Sequence, residues 1–192
     1  LQAIKHLTTG DGGFITLPNE QLYDRCKLLR WYGINRDKRN YKGKDFRLEN
    51  DIVEYGYKFH MNDVNATIGI YNLPHMDGLL VKNRRNAKLL DEELKNIDGI
   101  QLLKNNLKCN SAYWLYSIRV LNDKKQKFME KMKEANIMTS QVHNRNDINS
   151  CVKEFEETLP NIDILEKELV CIPVGWWLDE TDINYIIENI KK

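Results

Sequence analysis

Lys5 precedes the turn Gly10-Asp11-Gly12-Gly13 by a short fixed distance, and no other stretch of the sequence is as suggestive of chemistry. A lysine amine can attack a carbonyl carbon or move a proton, and both tasks need its neutral form. An unperturbed amine, with a pKa of roughly 10.4, is mostly protonated at neutral pH, so a working lysine needs desolvation or a nearby positive charge. A lone lysine is ordinarily a solvated charge, and a glycine cluster alone is ordinarily a turn. Here the lysine lies between small or apolar residues, and the glycine turn is followed by residues 14–17, which read as a β-strand anchoring the turn in a sheet.

The surrounding pattern predicts what holds this segment. Pro18 and Asn19 lead into a helix over residues 20–31, stopped by Gly33. Residues 35–51 are polar and basic and read as a long loop, a kind of segment that often carries function. Asn62 and Asp63 start a helix to Leu73 that is apolar on two faces, with Ala66, Gly69, Ile70 and Leu73 on one and Val64, Ile68 and Tyr71 on the other, which predicts burial. Pro74 interrupts it, and a second helix follows to about Asn96, with Leu80, Ala87, Leu90, Leu94 and Ile97 as its apolar stripe.

Beyond Gly99 strands and helices alternate. Strands are predicted at residues 100–103, 113–121, 137–142 and 169–173, with Trp114, Tyr116, Ile118 and Val120 sharing one face of the second. Asp123 and Gln126 suggest a capping box for a helix to about Asn136, with Phe128, Met132 and Ala135 buried. Further helices are expected over residues 146–155 and 161–168, and Asp179 caps a last one that buries Ile183, Ile186, Ile187 and Ile190. The layout is therefore the tail of a larger α/β domain (residues 1–73) followed by a small α+β domain with antiparallel strands (residues 74–192).

Composition narrows the function classes. With 42% hydrophobic and 30% charged residues the chain has ordinary globular composition. A net charge of +1 gives no reason to expect nucleic acid or a membrane surface as partner. Cys26, Cys109, Cys151 and Cys171 are widely spaced, so neither a disulfide framework nor a metal site is expected, and reduced thiols in a cytoplasm are. His6 reads as local structure, His75 as a surface residue, and Trp176 and Trp177 as core or interface. The first residue is Leu1 and the informative segment begins at once, which predicts a piece of a longer chain.

Five blocks, in order, resemble the sugar aminotransferases of the DegT/DnrJ/StrS type. Residues 1–13 are similar to the family's lysine motif, with Lys5 on the Schiff-base position, Gly10, Gly12 and Gly13 on the turn, and Asp11 where glutamate is usual. Leu28-Leu29-Arg30-Trp31-Tyr32-Gly33-Ile34 resembles a second segment, with Tyr32 where histidine is common. Residues 56–69 resemble a third, G-Y-x-Y-x-M-x-D-x-x-A-A-x-G. Residues 142–147 and 171–178 resemble late segments of a subgroup acting on dTDP-4-keto-6-deoxyglucose and similar sugars.

The resemblance implies a fragment of a fold-type I aminotransferase that binds pyridoxal 5'-phosphate through Lys5. It implies transfer of an amino group, with glutamate as donor, to C4 or C3 of a nucleotide-linked keto sugar. Lys58 and His60 take variable positions in a block that reaches the cofactor phosphate of the neighbouring subunit, so a homodimer with a composite site is implied. His143 and Arg145 become candidates for the diphosphate of the sugar nucleotide. In relatives the N-terminal half supplies the aspartate on the pyridine nitrogen, the residue stacked on the ring and a serine on the phosphate. Dehydrating members of the family carry histidine in place of the lysine; Lys5, not His6, is in register here. The competing reading from another class is a non-catalytic structural or regulatory fragment.

Overall fold

The structure is a computed structural model and describes residues 1–38, 51–106 and 108–192. Contacts divide the chain into two compact units, Leu1–Pro74 and His75–Lys192. Among the described residues, no helix is long and apolar enough to cross a membrane.

The first unit is built around two helices. Helix α1 spans Glu20–Leu29, and the Asn19 side chain caps it by accepting from the Leu22 N–H at 2.9 Å. It ends two residues earlier than expected because Trp31 leaves the helix to pair with Lys58 as an isolated antiparallel bridge. The turn that follows needs Gly33, whose φ is +76°. A Cβ there would stand 2.0 Å from the Glu54 carbonyl oxygen, and one on Gly56 would stand 2.4 Å from the Gly33 nitrogen. Two separate sequence blocks are thus locked backbone to backbone. Gly33→Ala should therefore destabilise this unit, by about 1–3 kcal/mol from the dihedral alone and more from the clash. Denaturant unfolding followed at the tryptophans checks this, and an unchanged midpoint would refute the contact.

Helix α2 spans Asp63–Asn72, with Asn62 as its cap. A short 3₁₀ turn at Leu73–His75 realises the interruption expected at Pro74. The expectation of burial fails, since no residue of α2 is buried. Only the face bearing Asn65, Ala66, Gly69 and Asn72 is partly covered. Residues 14–17 form no strand, with Phe14 at 76% and Ile15 at 69% exposure. A strand requires a hydrogen-bonded neighbour, and none pairs with this segment among the described residues. Of the long loop expected at residues 35–51, a 3₁₀ turn at Arg36–Lys38 is seen, and residues 39–50 lie outside the described residues.

The second unit opens with helix α3 (Met76–Leu94), followed by strands β1 (Ile100–Leu102) and β2 (Tyr116–Val120), and helices α4 (Lys125–Glu134) and α5 (Pro160–Glu168). Strand β3 (Leu169–Ile172) and helix α6 (Glu180–Lys191) complete it. The sheet is antiparallel in the order β1-β2-β3, with Ile118 opposite both Leu102 and Val170. Leu90, Leu94, Ile118, Met132, Val170 and Ile183 are completely buried together, and burying each contributes about 1.5–3 kcal/mol. Tyr116 reaches from this core to Asp91 at 2.6 Å, and burial together with that carboxylate pushes its phenol far above its ordinary value.

Four expectations are corrected here. β2 is shorter than expected because Tyr113 adopts φ +48°, which ends the extended run before Tyr116. The Asp123–Gln126 capping box does not form, since Asp123 has φ +55° and Gln126 turns instead to Glu130. Residues 137–142 contribute only the bridge Ser140–Cys171, because Val142 at φ +64° makes a tight turn in which the His143 N–H donates to the Gln141 carbonyl at 2.8 Å. Of residues 146–155, only Ser150–Phe155 is helical, and it is 3₁₀. By contrast, Asp179 and Asp182 form a reciprocal capping box on α6.

Candidate active site

Lys5 is half-buried and closes a turn, its N–H donating to the Gln2 carbonyl at 3.0 Å. The segment returns on itself through the Thr9 N–H, which reaches the Leu1 carbonyl at 3.0 Å. Thr9 is buried, and its Oγ1 donates to the Asp11 carbonyl at 2.7 Å. Gly10 at φ +80° and Gly12 at φ +141° then turn the chain, conformations that side-chain-bearing residues rarely adopt. A Cβ on Gly12 would also meet Met61 Cε at 2.9 Å and Thr9 Oγ1 at 3.0 Å. The spacing of the motif thus has a local cause: a closed lysine loop on a glycine turn.

Helix α2 lies against that turn. Asn65 Nδ2 donates to the Thr9 and Asp11 carbonyls at 2.9 and 2.8 Å, and Asn72 Nδ2 donates to the Thr8 carbonyl at 2.9 Å. Gly69 permits the approach, since a Cβ there would stand 2.8 Å from Thr9 Cγ2. Sequence reasoning missed both asparagines. The signal was there, in polar residues seven apart on the face shared with Ala66 and Gly69.

His6 follows Lys5 and has its pKa lowered from the ordinary 6.5, first by burial and then by the Lys5 charge. A base with a depressed folded pKa favours folding fully above its unfolded value. That contribution is lost as the pH falls from about 6.5 through the folded pKa. Acidification in that window should loosen the lysine loop. NMR titration of His6 should give a midpoint below 6.5; a midpoint at or above it would refute the burial argument.

Lys58 and His60 are brought together at the end of α1. The Tyr57 and Phe59 N–H groups donate to the Leu29 and Arg30 carbonyls at 2.6 and 2.9 Å, which sets Lys58 opposite Trp31. Lys58 is exposed. The His60 ring stands edge-on to Trp31, 4.0 Å between centroids, with Arg36 over the same indole at 4.3 Å. His60 Nδ1 and Trp31 Nε1 are both buried without a hydrogen-bond partner, a costly state that a ligand atom would relieve. A cavity of about 410 Å³ adjoins them, lined in part by Lys27, Arg30, Arg36 and Asp37. Lys27 is already paired with Asp37. A second groove, of about 590 Å³, runs from Gly13 and Phe14 past Phe59 to His60. Lys5 lines neither, although its loop borders the second through Gly13.

His143 and Arg145 belong to the second unit. His143 is exposed, its ring 6.0 Å from that of Trp114. Arg145 is largely covered and ion-paired with both Asp147 and Asp163. Its guanidinium is pushed above the ordinary value by hydrogen bonding to Asp147, whose carboxyl is held below its own. An incoming phosphate would have to compete with two carboxylates for Arg145. Far from the last block in sequence, the completely buried Asn86 donates to the carbonyls of Val174, Gly175 and Leu178 at 3.1–3.2 Å, fixing the loop that carries Trp176 and Trp177. Among the described residues, no group of His, Cys, Asp and Glu is arranged to hold a metal ion.

The sequence and fold as a whole have counterparts among known proteins. A Campylobacter jejuni UDP-4-amino-4,6-dideoxy-N-acetyl-beta-L-altrosamine transaminase is 29% identical over 202 residues, covering 98% of this chain and 51% of that protein. The sugar aminotransferase CalS13 of Micromonospora echinospora is 42% identical, with a TM-score of 0.91 over 99% of this chain and 50% of that one. AtS13 of Actinomadura melliaura is 39% identical, with the same TM-score of 0.91, over 99% of this chain and 49% of that one. The chain thus spans about half the length of the relatives it matches. Residues 1–191 match the DegT/DnrJ/EryC1/StrS aminotransferase family, and the chain belongs to it, as a fragment with the fold-type I aminotransferase architecture.

Proposed function

We propose that the protein carrying this chain is a pyridoxal-phosphate-dependent aminotransferase that moves an amino group from glutamate to C4 or C3 of a nucleotide-linked keto-deoxy sugar, of which dTDP-4-keto-6-deoxyglucose is the example. The observation that carries the reading is Lys5 on a closed loop, in register with a positive-φ glycine turn. The residues present fit the cofactor. A lysine amine suits covalent attachment to an aldehyde, and the unpartnered His60 Nδ1 and the exposed Lys58 are donors suited to a phosphate.

When bound, pyridoxal phosphate supplies the electron sink that lets a C–H bond beside the amino nitrogen break. Lys5 would hold the cofactor through its amine, and the free amine would serve as the base that takes the proton from the donor α-carbon. Lys58 and His60 are assigned to the cofactor phosphate of a second copy, which makes the active enzyme a homodimer. His143 is assigned to the sugar nucleotide's diphosphate. Arg145 is assigned beside it, acting from within its pairs with Asp147 and Asp163. Residues 1–73 are taken as the end of the large cofactor-binding domain and residues 74–192 as the small domain. The partners of the pyridine ring are assigned to the other half of the protein. Incubating the complete enzyme with glutamate and dTDP-4-keto-6-deoxyglucose should release 2-oxoglutarate and an amino sugar. Turnover only with a sugar carrying no nucleotide would overturn the substrate class, and no turnover with any keto sugar would overturn the activity.

A further inference from the structure

We propose that Asn65 and Asn72 are positioning residues for Lys5, holding through their side-chain amides the three carbonyls on which the lysine loop rests. The proposal deepens the reading of Lys5 as the cofactor anchor and depends on it for its functional meaning.

The loop has two ends that meet at the hydrogen bond from the Thr9 N–H to the Leu1 carbonyl, with Lys5 between them. Its base is the stretch Thr8–Asp11, whose positive-φ glycine takes it out of any helix or strand. The carbonyls of Thr8 and Thr9 therefore need donors from elsewhere, and the Asp11 carbonyl, which accepts from Thr9 Oγ1 within the stretch, has a second lone pair to fill. Asn65 spans two of them, crossing the turn, and Asn72 takes the third. Seven residues separate the two asparagines, which puts both amides on one face of α2, two turns apart. Gly69 lies between them and lets that face reach Thr9. Asn65 is held in turn, its N–H donating to the Asn62 cap at 2.9 Å. A helix that ends in a fixed cap thus carries a rigid pair of donors to the loop. Small displacements of a reacting group cost rate steeply, so the clamp acts on the amine without touching substrate.

The test uses the full-length protein. Asn65→Asp keeps the size of the side chain and faces two carbonyl oxygens with an acceptor in place of a donor. In the cofactor-free protein, exchange of the Thr9, Gly10 and Gly12 amides should rise about tenfold or more, while α3 and α6 keep their protection. Borohydride-trapped labelling of Lys5 by pyridoxal phosphate should slow about tenfold, the same loss of one favourable contact. Asn65→Gln, which keeps the donor, should restore both. Unchanged exchange and unchanged labelling in Asn65→Asp would overturn the proposal. If Asn65→Asp does not fold, Asn72→Leu carries the test, with faster Thr9 exchange expected and wild-type exchange refuting it. A wild-type protein that takes no label on Lys5 sinks the anchor reading, while the exchange data still decide whether the clamp exists.

Discussion

Lys5→Ala is expected to lower amino transfer by about 10³-fold or more, since it removes both covalent attachment and a general base, and the base alone contributes roughly 10²–10⁴. Lys5→Arg should fail equally. A guanidinium keeps the positive charge but stays protonated, so it can neither attack an aldehyde nor accept a proton. That pair of variants separates the amine's chemistry from a merely electrostatic role. Borohydride reduction and peptide mapping of the wild type should place the pyridoxyl label on Lys5, with Lys58→Ala retaining it. A label on any other lysine, or full activity in Lys5→Ala, would remove the basis of the functional reading.

What could be read from the sequence follows the range of the forces involved. Helix periodicity and capping are local, so α1, α2, α3 and α6 were legible to within a few residues, as was the buried row Ile183, Ile186, Ile187 and Ile190. Strands depend on neighbours distant in sequence. Residues 14–17 and 137–142 have strand-like composition, yet the first has no pairing partner among the described residues and the second is broken by Val142. The capping box at Asp123 had the right letters and the wrong backbone, because the preceding Asn122 and Asp123 both adopt positive φ. The site divides in the same way. Lys5 and its glycines form a contiguous motif. The asparagine clamp joins residues more than fifty positions apart, and only the fold brings them together.

The second large effect concerns α2. Its outer face carries Val64 at 70% exposure, Ile70 at 69% and Tyr71 at 75%, on a helix whose inner face is already held by the lysine loop. Covering each such side chain is worth roughly 1.5–3 kcal/mol, so the uncovered set rivals the roughly 5–15 kcal/mol that stabilises a whole domain. Exposed apolar area of this kind marks an interaction surface. We therefore expect residues 1–192, produced alone, to associate or aggregate in sedimentation experiments, and the complete protein to run as a homodimer. Ile70→Asp combined with Tyr71→Asp should lessen the association of the isolated chain, because two carboxylates on that face oppose its desolvation. A half-buried position such as Ala66, which belongs to the inner face, is the control for the direction of the effect. A monodisperse, cooperatively melting monomer of residues 1–192 would show that α2 needs no further cover. The composite site assigned to Lys58 and His60 would then lose its support from this face.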